Sequence, residues 1–143
     1  MEPNGLGLVA ALRFFLERRQ KEVKNTRLIL EEQSHCLDQQ ISRLAPDVEG
    51  AIYAIVQETV NNALKHAQAG QIVVRLEETP EMLRVVIADN GRGFDVNRTI
   101  GNYAQRGSLS MLNIHERAEA IGGELSLTSV LGEGTRISVT VPK

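Results

Sequence analysis

The chain is organised around Ala88-Asp89-Asn90-Gly91-Arg92-Gly93-Phe94, where an apolar segment (residues 83–88) runs directly into an acidic residue followed by two glycines. Glycine permits positive φ and lets a ligand come close to the backbone, while the Asp89 carboxylate can accept hydrogen bonds from that ligand. Asp-Asn-Gly is also common turn chemistry, so an ordinary turn is the alternative at this point. The rest of the sequence has to decide between a binding loop and a turn.

Composition indicates one globular domain and excludes several function classes. A chain of 143 residues with 42% hydrophobic and 24% charged residues can bury a proper core. The 16 basic and 18 acidic residues give a net charge of −2, and only 3% of residues are aromatic. Nucleic acid is therefore not an expected partner, because neither a basic footprint nor a base-stacking surface is present. Cys36 is the only cysteine, which excludes an intrachain disulfide framework.

Membrane insertion of this segment is not expected. No apolar run approaches the roughly 20 residues of a membrane helix, and the N-terminus does not look like a signal peptide. We expect a cytoplasmic segment that makes no membrane contact, although its parent protein could be membrane-anchored.

The first predicted element is a helix from Leu6 to about Glu22, with a wide apolar band that includes Leu8, Leu12 and Phe15. Such a band needs a partner surface, which suggests a helical hairpin or dimer that continues upstream of Met1. Packing on the domain's own core is the alternative. We therefore divide the chain into residues 1–24, the end of a dimerisation helix with its linker, and residues 25–143, the main domain.

Each remaining segment shows either the period of a helix, 3.6 residues, or that of a strand, two residues. Residues 26–33 suggest a strand, although a short buried helix has the same pattern. A long helix is predicted over residues 46–66 or 67, and a second one over 112–121, where Gly122-Gly123 ends it. Alternating patterns predict strands at 71–77, 83–88, 124–129 and 136–141. This order predicts a two-layer α/β sandwich with mixed or antiparallel pairing.

The long central helix carries the most informative polar residues. At about 100° per residue, Glu58, Asn62 and Lys65 fall within about 60° of each other, opposite the apolar side. Glu58 and Asn62 are four residues apart, so their oxygens can converge on one point. A Mg²⁺ ion prefers oxygen ligands, and Glu58 could bind it through water or orient a nucleophile as a base. A solvated polar face is the alternative reading.

A long segment without a period precedes the second helix. Residues 95–110 are polar and glycine-containing, and a loop of this length is usually a lid, a binding loop or disorder. Gly107-Ser108 lies before the helix, where backbone amides and the positive helix end can receive phosphate.

Four short segments resemble the boxes of the GHKL ATPases, the superfamily of gyrase, Hsp90, histidine kinases and MutL. Residues 58–67 resemble the N box, residues 89–94 the first glycine box, residues 107–111 the second, and residues 132–135 the last. Their order over roughly residues 26–143 makes the match specific. The resemblance implies a Bergerat-type ATP-binding fold, an α/β (α+β) two-layer sandwich whose mixed, mostly antiparallel sheet is covered on one face by helices.

Within that superfamily, residues 65–67 and 113–118 resemble sensor histidine kinases that pair with NarL-type response regulators. Residues 6–12 are similar to the end of their dimerisation-and-phosphotransfer hairpin. The resemblance implies an ATP-binding catalytic domain that transfers the γ-phosphoryl group to a histidine outside these residues. A response regulator would then receive it. The expected partners are ATP, the phosphotransfer domain of the same kinase in a homodimer, and the regulator.

The resemblance also assigns roles by position. Asn62 becomes the Mg²⁺ ligand, Glu58 the acid that orients or activates the phosphoryl acceptor, and Asp89 the acceptor from the adenine amino group. Residues 95–111 would form a lid over the phosphates. The other predicted nucleotide contacts are Lys65 and His66 at the phosphates, Gly91, Gly93 and Phe94 near the base, Gly107, Ser108, Leu109 and Met111 in the lid, and Gly134 with Thr135 in the adenine pocket.

Two features depart from the family pattern. Ser110 stands where glycine is usual and Met111 where leucine is common, which bears on lid closure more than on binding. No histidine lies in a phosphoacceptor box, since neither His35, His66 nor His115 has that context. The chain thus resembles the catalytic half of a kinase. Two alternatives remain: a nucleotide-binding interaction module without transfer activity, and an anti-sigma-type serine kinase.

Overall fold

The computed structural model describes residues 7–34, 44–66, 68–91, 109–130 and 132–142. None of the helices in these ranges combines the length and the apolar character needed to cross a bilayer. The elements are α1 (Leu8–Glu22), β1 (Arg27–Ser34), α2 (Pro46–His66), β2 (Gln71–Glu78), β3 (Met82–Asp89), α3 (Leu109–Ala120), β4 (Glu124–Val130) and β5 (Gly134–Pro142). Every predicted element is present. The ambiguous segment after α1 is a strand, and the predicted start of α3 at residue 112 is wrong, because α3 begins three residues earlier.

The five strands form one sheet in the order β1-β2-β3-β5-β4. β2 and β3 are an antiparallel hairpin whose turn is closed by Thr79, where the amide donates to the Met82 carbonyl at 2.9 Å. β5 pairs antiparallel with both β3 and β4, whereas β1 pairs parallel with β2. A parallel pair requires a crossover connection, which α2 supplies. The sheet is therefore mixed and mostly antiparallel, as predicted.

One face of the sheet carries the core. β2 alternates strictly between buried and more exposed residues, and its buried apolar members join those of α2 in one cluster. The residues concerned are Ile72, Val74 and Leu76 on β2 and Ile52, Ile55, Val56 and Val60 on α2. On the opposite face, Arg75 Nη2 donates to Glu31 Oε1 at 2.9 Å across β1 and β2. This confirms the predicted two-layer sandwich with helices on one face.

Helix α1 packs on that same core. Leu8, Leu12 and Phe15 belong to the cluster formed by α2 and the sheet. The Gln20 side chain also fastens the end of α1 to β1, since its Nε2 donates to the Thr26 carbonyl at 2.9 Å and its Oε1 accepts from the Leu28 amide at 2.7 Å. Packing on the domain's own core, the alternative weighed from the sequence, thus accounts for the apolar band. The helical hairpin or dimer that would continue upstream of Met1 stays a prediction, and so does the domain boundary at residue 24.

Candidate functional site

Asp89 is the last residue of β3 and lies at one end of the sheet. It pairs with Ile72 on β2 and with Thr135 on β5. Because side chains alternate along a strand, Asp89 lies on the same face as buried Ile87, the face covered by helices. Its half-buried carboxylate accepts a hydrogen bond from the Gly91 amide at 2.8 Å through Oδ1. Oδ2 has no partner in the described part of the chain, so it is available to a ligand.

The loop after β3 is fastened to the start of β2 by Asn90. Its Oδ1 accepts from the amides of Gly70 and Gln71, both at 2.9 Å, and its own amide donates to the Gln71 carbonyl at 3.2 Å. An Asn side chain that replaces missing strand partners in this way holds a turn without further secondary structure. The loop therefore holds Asp89 against the segment that leads from α2 into β2.

Gly134 is required by a close approach of β5 to Asp89. Its φ is +105°, and a Cβ atom at this position would lie 2.1 Å from the Asp89 carbonyl oxygen. No other residue fits there without displacing a backbone. The next residue, Thr135, lies beside Asp89 in the register, and its hydroxyl is 2.8 Å from that of Ser129. The structure thus brings three predicted residues, Asp89, Gly134 and Thr135, to one place.

Glu58 and Asn62 lie on one flank of α2. Both are half-buried, while Lys65 is exposed. Their positions on the helix are about 40° apart, because four residues advance about 400°. The core-facing residues Ile55 and Val56 are at most 1% exposed. Glu58 and Asn62 therefore border the core, at the margin of the layer between α2 and the sheet, and the predicted position opposite the apolar side is wrong for them.

The C-terminal half of α2 and Asp89 lie at the same end of the domain. α2 ends at His66, and the chain then enters β2 at Gln71. The second residue of β2, Ile72, is the register partner of Asp89. Asn62 lies one turn before the end of α2, which packs on the face that carries Asp89. The carboxylate and the amide thus border the same end of the same layer, as the nucleotide hypothesis requires.

Several predicted site residues lie outside the described residues. These are Gly93, Phe94, Gly107 and Ser108, with most of the predicted lid. His35 and Cys36, which were not predicted to belong to the site, lie outside the described residues as well. Leu109 and Met111 belong to the first turn of α3 rather than to a loop. The segment without a period that was predicted over residues 95–110 is therefore wrong for its last two residues, which are helical, while the lid role of residues 95–111 stays a prediction.

Besides lying near Asn62 on α2, Lys65 borders a cavity that was not predicted from the sequence. It lines a cavity of about 360 Å³ between α1 and α2, which we call the α1–α2 groove. Tyr53 and Asn61 line the same cavity from α2, and Phe14 and Arg18 from α1. Lys65 thus lies between this groove and the flank that carries Asn62.

Two further polar residues were missed from the sequence. Thr59 is 7% exposed, and its Oγ1 is buried without a hydrogen-bond partner in the described ranges, next to Glu58 on α2. Ser129 holds the Thr135 hydroxyl and donates to the Gly134 carbonyl at 3.2 Å. Neither had a sequence signal beyond a hydroxyl residue within an apolar helix or strand pattern. Both lie beside residues that were predicted.

The chain matches the family model described as histidine kinase-, DNA gyrase B-, and HSP90-like ATPase over residues 47–143. An uncharacterised sensor-like histidine kinase from Chloroflexus aurantiacus is 42% identical over 137 residues, which are 95% of this chain and 22% of that protein. The signal transduction histidine-protein kinase/phosphatase DegS from Bacillus subtilis is 32% identical over 142 residues, 99% of this chain and 36% of that protein. The chain thus spans about a fifth to a third of these relatives.

Solved structures share the fold. The blue-light activated histidine kinase of Erythrobacter litoralis EL346 superposes with a TM-score of 0.67 at 23% identity, over 94% of this chain and 41% of that one. Its histidine kinase domain gives a TM-score of 0.68 at 21% identity, over 94% and 64% of the two chains. At these identities the likeness establishes the architecture alone. ATP as the nucleotide follows from the family match.

Proposed function

Because the chain belongs to the histidine kinase-, DNA gyrase B- and HSP90-like ATPase family, we propose that it is the ATP-binding catalytic domain of a sensor histidine kinase. In this proposal the domain binds Mg·ATP beside Asp89 and α2 and donates the γ-phosphoryl group to a histidine outside these residues. The observation that carries it is the position of Asp89, whose Oδ2 is unpartnered among the described residues at the same sheet end as Asn62.

The adenine end of the nucleotide is assigned to Asp89, Gly134 and Thr135. Asp89 Oδ2 would accept the adenine amino proton, because the Gly91 amide already fixes the other carboxylate oxygen at 2.8 Å. Gly134 supports this assignment by letting β5 come close to the Asp89 backbone. The Thr135 hydroxyl, held by Ser129 at 2.8 Å, would complete the polar edge of the pocket.

The metal is assigned to Asn62. No group of three or more His, Cys, Asp and Glu side chains placed to bind a metal occurs in the described ranges. The amide oxygen of Asn62 is a donor that fits Mg²⁺, which prefers oxygen ligands and usually keeps several waters. The nucleotide phosphates and water would supply the other ligands. The bound ion would neutralise charge on the phosphates. Lys65 and His66 would contact the phosphates from the last turn of α2.

The transfer step is assigned to Glu58. During transfer the bond between the γ-phosphorus and its bridging oxygen breaks, a bond to an imidazole nitrogen forms, and ADP leaves. Glu58 would orient the imidazole or take its proton, one turn before Asn62 on the same flank. Positioning and charge neutralisation supply most of the catalysis in such reactions.

The remaining partners follow from the kinase assignment. The acceptor histidine would belong to a dimerisation-and-phosphotransfer domain of the same kinase, and a NarL-type response regulator would take the phosphoryl group from it. Dimerisation would depend on that domain. A cytoplasmic location stays a prediction.

Replacement of Asp89 by Asn tests the adenine assignment. We expect ATP to bind at least about tenfold more weakly to Asp89→Asn by calorimetry, because the neutral amide presents a donor where the adenine amino group donates. Asp47→Asn, at an exposed residue in the first turn of α2, is the matched control and should bind like wild type. Unchanged affinity in Asp89→Asn would remove the assignment.

A phosphotransfer assay tests the kinase activity itself. If the wild-type protein binds ATP but does not phosphorylate a supplied phosphotransfer domain, it is a nucleotide-binding module instead.

A further inference from the structure

The α1–α2 groove has the size and position of an independent binding site. Its volume of about 360 Å³ lies within the range of small-molecule pockets. On α2 it is lined by Tyr53, Asn61 and Lys65, which are spaced by multiples of four and form one stripe along the helix. Asn61 and Asn62 are neighbours in sequence, but they point about 100° apart. The groove is therefore on the other flank of α2 from the proposed metal ligand.

The groove is basic in a protein whose net charge is −2. Arg18, Arg19 and Lys65 line it, with Glu22 as the one acidic lining residue. Glu22 Oε2 is already engaged by Arg19 Nη1 at 2.7 Å. Neither Arg18 nor Lys65 has a carboxylate partner in the described part of the chain. Two positive charges therefore remain uncompensated at this surface.

Two buried polar atoms of the groove residues lack partners. Among the described residues, only three buried side-chain polar atoms have no hydrogen bond, and two of them are Arg19 Nε and Asn61 Oδ1. Buried polar atoms are normally satisfied, because an unmade hydrogen bond is costly. Both residues line the groove, but these two atoms are shielded from solvent, so the accessible cationic groups of the groove are those of Arg18 and Lys65.

The α1 wall of the groove is aromatic. Phe14 is 42% exposed, although large apolar residues are usually buried, and the Arg18 guanidinium lies 5.8 Å from its ring centre. Phe15 and Tyr53 meet edge to face deeper in the groove, with ring centres 6.2 Å apart. A flat ring that enters the groove can stack beside these side chains while a charged substituent reaches the cations.

From these observations we infer that the α1–α2 groove binds a small aromatic anion, an aryl phosphate or aryl carboxylate. The anionic group is held by Arg18 and Lys65, and the ring lies against Phe14. This inference uses no residue assigned to adenine or metal, and Lys65 is the only residue it shares with the proposed phosphate contacts. It does not depend on the proposed function.

The test is a titration of the isotope-labelled full chain followed by NMR, with phenyl phosphate as the probe. The Arg19 Nε–H and Asn61 side-chain amide signals should shift with a Kd of about 1 mM, which is reasonable for a ligand of this size. Benzoate separates the carboxylate from the phosphate, inorganic phosphate tests the anion without the ring, and benzyl alcohol tests the ring without the charge. The two controls should bind at least about fivefold more weakly than the better aromatic anion.

Variants separate this site from the others. Arg18→Gln should weaken binding about fivefold to tenfold. Arg13→Gln is the matched control and should leave the affinity unchanged, because Arg13 is exposed on α1 and paired with Glu32 away from the groove. Asn62→Ala should also bind the probe like wild type.

Three results would overturn the inference: no shift of the Arg19 and Asn61 signals at 10 times the expected Kd, shifts confined to residues 89–91, or equal weakening by Arg18→Gln and Arg13→Gln. Failure of the proposed function would appear separately, as ATP affinity that Asp89→Asn does not change.

Discussion

The two flanks of α2 differ in the length of their side chains and in how those side chains are held. At the sheet end beside Asn62, Asp89 is held by the Gly91 amide, and Asn90 by two more amides at 2.9 Å. These are short side chains fixed by backbone donors. The α1–α2 groove is instead lined by long side chains such as Arg18 and Lys65, with buried polar atoms left unpartnered among the described residues.

The difference corresponds to two kinds of task. Phosphoryl transfer gains most from positioning, and a displacement of about 1 Å can cost on the order of 100-fold in rate. Rigid backbone contacts around Asp89 suit that demand. A groove lined by arginine and lysine side chains tolerates ligands of several shapes, because those side chains reorient at low cost. We therefore expect substitutions at the sheet end to have larger effects than substitutions near the groove.

The largest effect is expected for Gly134→Ala. The new Cβ would lie 2.1 Å from the Asp89 carbonyl oxygen at a φ of +105°, so either β5 or the end of β3 has to move. We expect a loss of about 3 kcal/mol or more in unfolding free energy, measured by urea denaturation. Gly132→Ala is the matched control, since Gly132 also has a positive φ of +82° but nothing within 4 Å of the added atom. It should cost about 1 kcal/mol, which is the price of the left-handed conformation alone.

If Gly132→Ala were as destabilising as Gly134→Ala, the backbone conformation and not the contact with Asp89 would account for the need for glycine. The contrast between a rigid sheet end and an adaptable groove would then lose its strongest support.

A smaller effect, on catalysis and not on stability, separates Asn62 from Asn61. Asn62→Ala removes the proposed Mg²⁺ ligand and should lower phosphoryl transfer to a supplied phosphotransfer domain on the order of 100-fold. Asn61→Ala makes the same chemical change one residue away, on the groove flank, and should stay within about threefold of wild type. Transfer is measured under Mg²⁺ titration, where Asn62→Ala should also require more metal. Equal losses in both variants would show that α2 responds as a whole and would contradict the division into flanks.

Much of the sheet end could be predicted from the sequence because its signals are local. Asp89 follows an apolar strand directly, and Glu58 and Asn62 are one helical turn apart. Helical and strand periods then placed the elements within three residues of their observed bounds. Gly134 was assigned through its resemblance to a glycine box. Its physical reason, the contact with the Asp89 carbonyl, exists only once β3 and β5 are paired.

The rest could not be predicted, because it depends on pairs that are distant in sequence. Asn90 has the sequence context of a turn residue, yet its side chain accepts hydrogen bonds from the backbone amides 19 and 20 residues earlier. The groove combines α1 with α2, and α1 was expected to dimerise. The apolar period of α1 is compatible with either partner surface, so the packing of Leu12 and Phe15 on the core could not be predicted from it, and dimerisation stays a prediction.

The smallest effect concerns the attachment of α1, the wall of the groove. Gln20→Ala leaves the Leu28 amide and the Thr26 carbonyl without the side chain that now binds them at 2.7 and 2.9 Å, and should cost about 1–2 kcal/mol. Arg13→Ala is the matched control on α1, because its ion pair with Glu32 is solvent-exposed, and it should cost at most about 0.5 kcal/mol. Hydrogen exchange locates the change: the Leu28 amide should exchange faster in Gln20→Ala, while the Gly91 amide, bonded to Asp89, should keep its protection. If both amides exchanged faster, the groove wall and the sheet end would open together, and the two flanks of α2 would be one cooperative unit.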